Sequence, residues 1–173
     1  DDVQTKWAIK EIANVNGPVY VRLSRFATPV IYDEGFVKKN NIKFEIGKAI
    51  QIGDGTDASI IATGVTVAEA LKAQEALKEK GINIRVIDVH TIKPLDKEMI
   101  IKCAKETKRI ITIEDHSIIG GLGTAVCEVL SENFPAKVMR IGINNTFGES
   151  GKAEELLKKY NLNSEYLVKI LSK

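Results

Sequence analysis

From residue 48 onward, short apolar runs alternate with stretches whose apolar residues recur at three- and four-residue spacing. The runs at 48–52, 58–62, 82–89, 109–113 and 136–141 predict five strands. Between them the spacing predicts helices. The first starts at Thr66, with Glu69 completing a capping box, Val67, Ala70, Leu71 and Leu77 on the buried face, and Gly81 closing it. Asp96 caps the second, which buries Met99, Ile100, Cys103 and Ala104. Gly120-Gly121-Leu122-Gly123 opens the third, with Ala125, Val126, Val129 and Leu130 inward. Ser150 and Asn163 start two terminal helices whose apolar positions are Leu156, Leu157, Tyr160, Leu167, Ile170 and Leu171. Strands that alternate with helices form βαβ crossovers. Their runs are continuously apolar, as in strands covered on both faces. The expected fold class is α/β, a three-layer α/β/α sandwich around a mostly parallel, mixed five-stranded sheet.

The first 47 residues read differently. A short helix over 4–13 ends at Gly17-Pro18, and a strand follows over 19–23. One helix and one strand cannot bury a core alone. They either pack on the rest of the chain or end a preceding domain. From Phe26 to Gly47 no period persists, and Pro29, Gly35 and Lys38-Lys39-Asn40-Asn41 interrupt the pattern. This stretch reads as a linker. The expected organisation is therefore 1–25, 26–47 and 48–173, and the N-terminus, lacking a methionine or signal peptide, reads as a cut end.

Composition narrows the function classes. With 44% hydrophobic and 28% charged residues among 173, the chain is too apolar for disorder. Its apolar stretches are too short for a membrane helix. A net charge of +2 with interleaved signs offers no basic stripe for nucleic acid. Cys103 and Cys127 fall on apolar helical faces without a CxxC partner, so they read as core thiols in a reduced, cytoplasmic setting.

Ligands of parallel sheets bind beyond the carboxyl ends of the strands. Asp88 and His90 lie there after one strand, and Glu114, Asp115 and His116 after another. If those strands are neighbours, the five gather at one rim as a metal site or acid/base pair. Without a close-spaced ligand motif, histidines that fix the turns are the favoured reading. Gly120-Gly121-Leu122-Gly123 offers bare amides to an anion, but Val126 stands where GxGxxG needs its third glycine. Close helix–sheet approach or a tight turn is favoured over anion binding. Arg22 and Arg25 end the 19–23 strand, and alternation puts them on opposite sides. Guanidinium forks suit phosphates, yet such a pair can equally be solvated or salt-bridged.

The runs Asp57-Ala58-Ser59-Ile60-Ile61-Ala62-Thr63-Gly64 and Asp88-Val89-His90-Thr91-Ile92-Lys93-Pro94-Leu95-Asp96 resemble the C-terminal domain of transketolases. So do Glu114-Asp115-His116 before Gly120-Gly121-Leu122-Gly123, and Phe147-Gly148-Glu149-Ser150-Gly151 before Glu155-Leu156-Leu157 and Tyr160. The likeness covers essentially the whole chain and is nearest to separately encoded C-terminal subunits. It implies that 1–25 is the tail of a pyrimidine-binding domain, 26–47 a linker and 48–173 the C-terminal domain. It also implies transfer of a two-carbon ketol unit between sugar phosphates in pentose phosphate metabolism, with thiamine diphosphate and a divalent metal (Mg) in the complete enzyme.

The cofactor-activating acid would lie upstream of residue 1, and Gly53-Asp54-Gly55 lacks the asparagine of the family's metal motif. No catalytic, cofactor or metal residue is therefore expected in this chain, which alone would be inactive. The Leu23-Ser24-Arg25 segment matches the strand end where transketolases set an arginine against the substrate's phosphate, which makes Arg25 the one candidate site residue. The implied partners are an N-terminal transketolase subunit or upstream domains, and a second copy in a homodimer. Competing resemblances are 1-deoxyxylulose-5-phosphate synthase and 2-oxoacid dehydrogenase beta subunits, against which His90 and His116 speak. A regulatory module binding an anion at the Gly120 loop is the alternative of a different class.

Overall fold

The computed structural model describes residues 1–25 and 27–173. Strands β1 (Ile50–Gly53), β2 (Ala58–Ala62), β3 (Ile84–Asp88), β4 (Ile110–Ser117) and β5 (Val138–Ile143) form one sheet ordered β1-β3-β2-β4-β5. β3, β2, β4 and β5 run parallel, while β1 lies antiparallel on β3. The mixed five-stranded sheet expected from the sequence is therefore present.

Helices cover both faces. On one side α3 (Thr66–Lys78) and α7 (Ser164–Leu171) pack on Ile60, Val86, Ile111 and Ile113 through Ala70, Leu77, Leu167 and Leu171. On the other, α4 (Lys97–Glu106) and α5 (Leu122–Asn133) cover Ile61, Ile87 and Ile110 through Ile100, Cys103, Val126 and Leu130. Adjacent residues of one strand thus feed opposite cores, so no position of β2 or β3 is free to be polar without a partner. The Arg85 guanidinium pairs with Asp54 at 3.3 Å and Glu106 at 2.7 Å, while its Nε is buried without a hydrogen-bond partner.

Local signals hold at several element ends. Asp96 accepts the Met99 amide, Asn163 accepts the Tyr166 amide, and Gly81 adopts φ +75° after α3. Elsewhere they do not. Thr66 makes no capping box with Glu69; its hydroxyl donates to the carbonyls of Thr63 and Ile113, and Glu69 accepts the Ser164 amide instead. Helix α6 (Ala153–Lys159) starts three residues after Ser150, with Lys152 as its N-cap. Cys103 is buried, while Cys127 is only half-buried.

The first 47 residues depart most from expectation. Helix α1 spans Asp2–Ile12, capped by Asp1. Among the described residues the 19–23 stretch has no ladder partner and is not a strand; the sheet ends at β1 and β5. The linker contains a helix, α2 (Glu34–Asn40), capped by Asp33 and ended by Asn41 at φ 49°. Its first residue, Phe26, lies outside the described residues. This arm packs on the sandwich: Tyr32 is 1% exposed, and Trp7, Tyr32, Phe36 and Phe44 form an aromatic cluster with centroids 6.0–6.1 Å apart.

Candidate functional site

The carboxyl edge of the sheet carries two separate centres. β2 lies between β3 and β4, so Asp88 and His90 stand apart from Glu114, Asp115 and His116. The single five-residue rim is therefore not formed. Among the described residues no group of three metal-ligating side chains comes together.

At the end of β3, the Asp88 carboxylate is 1% exposed. Its Oδ2 accepts from the Tyr32 hydroxyl and from Gln4 Nε2, both at 2.6 Å. Oδ1 is buried without a partner. Burial, reinforced by the neighbouring Asp88 charge, pushes the Tyr32 hydroxyl far above its ordinary pKa. His90 stacks on Phe44 at 4.3 Å and shares a 2.8 Å hydrogen bond between Nδ1 and the Thr91 hydroxyl. Burial holds its pKa below the usual value, partly offset by Asp88. Its Nε2 is buried without a hydrogen-bond partner.

At the end of β4, Glu114 is also 1% exposed. Its two oxygens accept the amides of Leu122 and Gly123 at 2.7 and 2.8 Å, the first turn of α5. The helix N-terminus that could take an anion is filled by this internal carboxylate. The glycines make it possible. Gly120 adopts φ +76°, a Cβ on Gly121 would overlap the Glu114 carboxylate, and one on Gly123 would lie 2.8 Å from Thr112 Oγ1. Both favoured readings of this loop, close approach and tight turn, hold. His116 Nδ1 lies 2.9 Å from the Ser117 carbonyl and 4.0 Å from Glu114.

These donors do not fit thiamine diphosphate or its metal. The α5 amides are already satisfied by Glu114, and Asp54 of Gly53-Asp54-Gly55 pairs with Arg85.

A cleft of about 490 Å³ opens beside β4 and β5, lined by Arg25, Asp115, Glu149 and Tyr160, with Ile143 and Leu157 among its apolar lining. Arg22 Nη2 donates to the Asp115 carbonyl at 2.7 Å and lies 3.6 Å from its carboxylate. Arg25 makes no ion pair among the described residues. The two arginines thus divide: one holds Asp115, the other lines the cleft. Glu149, which also lines the cleft, accepts from Lys159 and Tyr160, which keeps its carboxyl below the usual range.

Sequence reasoning missed Gln4 and Tyr32. Asp33 as a cap ahead of Phe36-Val37 was the local signal that the linker is structured, but nothing local marks contacts 84 and 56 residues away.

The family model for the transketolase C-terminal domain matches residues 47–167. A Methanocaldococcus jannaschii protein named for a transketolase C-terminal section is 51% identical over 98% of this chain and 52% of its own length. A Phocaeicola vulgatus protein named as one of the subunits of an apulose-4-phosphate transketolase is 44% identical over 98% of this chain and 52% of its own. A solved structure titled as a split gene transketolase, inactive beta4 tetramer, superposes with a TM-score of 0.90 at 40% identity, covering 99% of this chain and 55% of that one. The chain spans about half the length of these relatives. It belongs to the transketolase C-terminal domain family.

Proposed function

We propose that this chain is the C-terminal part of a transketolase that moves a two-carbon ketol unit between sugar phosphates, and that Arg25 receives the substrate's phosphate. The observation that carries this reading is the position of Arg25, an arginine that lines a cleft and has no carboxylate partner among the described residues. A guanidinium suits a tetrahedral oxyanion through paired N–H donors. The Phocaeicola relative is named for a phosphorylated sugar, which agrees with an anion-recognising residue. Residues 1–25 serve as the tail of the pyrimidine-binding domain, 26–47 as a linker and 48–173 as the C-terminal domain. Thiamine diphosphate and Mg then belong to upstream domains, and this chain alone performs no transfer.

Partners follow from the surface. Tyr20 is 88% exposed, with Val19 and Leu23 also exposed beside it on a segment without a ladder partner. Apolar backbone of this kind suits an upstream transketolase polypeptide. A second copy in a homodimer completes the assembly. The free thiols fit the reduced cytoplasm in which we place the protein. No helix among the described residues is long and apolar enough to cross a membrane.

Arg25→Ala, measured in the enzyme assembled with its upstream polypeptide, tests the assignment. Loss of one charge-assisted contact, about 1.5–3 kcal/mol, raises KM for a phosphorylated ketose roughly ten- to hundredfold. An unphosphorylated ketose keeps its kcat/KM. Equal losses for both sugars make Arg25 a support of the fold.

A further inference from the structure

The segment that carries Arg25 has no sheet ladder to hold it, since residues 13–25 pair with no strand among the described residues. Its position must come from contacts at its ends. Those contacts converge on the carboxyl edge of the sheet. Asp88 at the end of β3 takes Gln4 of α1 and Tyr32 of the linker, both at 2.6 Å. Asp115 in β4 takes Arg22, three residues before Arg25, through its carbonyl at 2.7 Å and its carboxylate at 3.6 Å. Asp1 ties the two ends of the arm together, accepting the amides of Ile31 and Tyr32 at 2.6 and 2.8 Å.

We infer that this edge is a clamp in which Asp88 and Asp115 act as positioning residues, setting Arg25 against the substrate's phosphate; the inference rests on the reading of Arg25 given above. β3 and β4 are two strand spacings apart, roughly 10 Å. Two anchors at that separation fix the direction of the arm as well as its place. At the edge where parallel sheets bind small ligands, Gln4, Arg22 and Tyr32 of this chain's own N-terminal part are seated instead. Asp88 explains itself in this light. A carboxylate 1% exposed is unfavourable unless its charge strengthens the bonds it accepts, and both of those bonds come from the arm. Asp115 also lines the cleft that Arg25 lines, so the residue that orients the arm and the residue that meets the anion border one cleft. The C-terminal domain thereby affects substrate recognition without touching the reacting atoms.

The test uses the enzyme assembled with its upstream polypeptide and a pair of ketoses, one phosphorylated and one not. Arg22→Ala removes one anchor at an exposed residue, so folding is not at issue. Misplacing Arg25 raises KM for the phosphorylated sugar about three- to tenfold, with kcat and the unphosphorylated sugar unchanged. Arg22→Lys, which can still donate to Asp115, restores most of the loss, and Gln4→Ala weakens the other anchor in the same direction. Arg22→Ala adds little on top of Arg25→Ala, because both act through one contact. A normal KM in Arg22→Ala beside a phosphate-selective Arg25→Ala overturns the clamp and leaves Arg25 standing. Equal losses on both sugars in Arg22→Ala overturn it as well, showing general support. An Arg25→Ala without phosphate selectivity removes the reading of Arg25 first, and the clamp with it.

Discussion

Asp88 and Glu114 are alike in burial and chemistry, yet they do opposite things. Each is 1% exposed near the carboxyl end of a strand, and each accepts two short hydrogen bonds. Glu114 takes both from backbone amides eight and nine residues ahead, closing the β4–α5 turn. Asp88 takes both from side chains 84 and 56 residues behind it, joining the arm to the sandwich. A buried carboxylate serves here either as a local cap or as a long-range fastener, and the sequence separation of its donors decides which.

That contrast predicts a graded set of losses. Glu114→Ala leaves two buried amides of α5 unpaired, and the main unfolding transition in urea should lose about 3 kcal/mol. A loss below about 1 kcal/mol would mean that water replaces the carboxylate and that Glu114 is no cap. Asp88→Asn keeps an acceptor but removes its charge, and should destabilise by only about 1 kcal/mol. Its signature differs in kind: the emission of Trp7, the single tryptophan, should shift to the red before the sandwich melts. If Trp7 and far-UV ellipticity move together, the arm and the sandwich are one cooperative unit and the comparison loses its basis.

The smallest effect belongs to His90. Burial depresses its folded pKa below the unfolded value, so the unfolded chain takes up the proton first as pH falls. Its contribution is complete above about pH 6.5 and declines below that until the folded pKa is passed. His90→Phe should flatten that part of the pH–stability curve, as measured by thermal midpoints in steps across the range. An unchanged slope would assign it to other groups.

The same division explains what the sequence could show. Asp96, Asn163 and Gly81 act within their own turns, and their roles were legible from three- or four-residue spacing. Two-faced burial of β2 and β3 was legible from apolar residues at adjacent positions (Ile60-Ile61, Val86-Ile87), while the buried Arg85 and Asp88 were not. Thr66 and Glu69 fit the capping-box spacing, but tertiary acceptors and donors at Ile113 and Ser164 won them. The Gly120 loop gave its geometry through its glycines, while its occupant, Glu114, needed the packed fold. The proposed role of Arg25 rests on resemblance, since spacing alone left its partner open. Neither the separation of Asp88 from Glu114 nor the lost 19–23 strand could be read locally, since both depend on strand order.

Placing β2 between β3 and β4 has a consequence for synthesis. β2 leaves the ribosome before both of its partners, and its second edge finds none until residues 110–113 have been made. Until then Ala58–Ala62, destined for burial on both faces, exposes an unsatisfied backbone edge. The central strand, buried at every position in the finished protein, is thus a vulnerable segment in the nascent chain. Slowing translation between β3 and β4 should lower the soluble yield more than the same pause placed after β5.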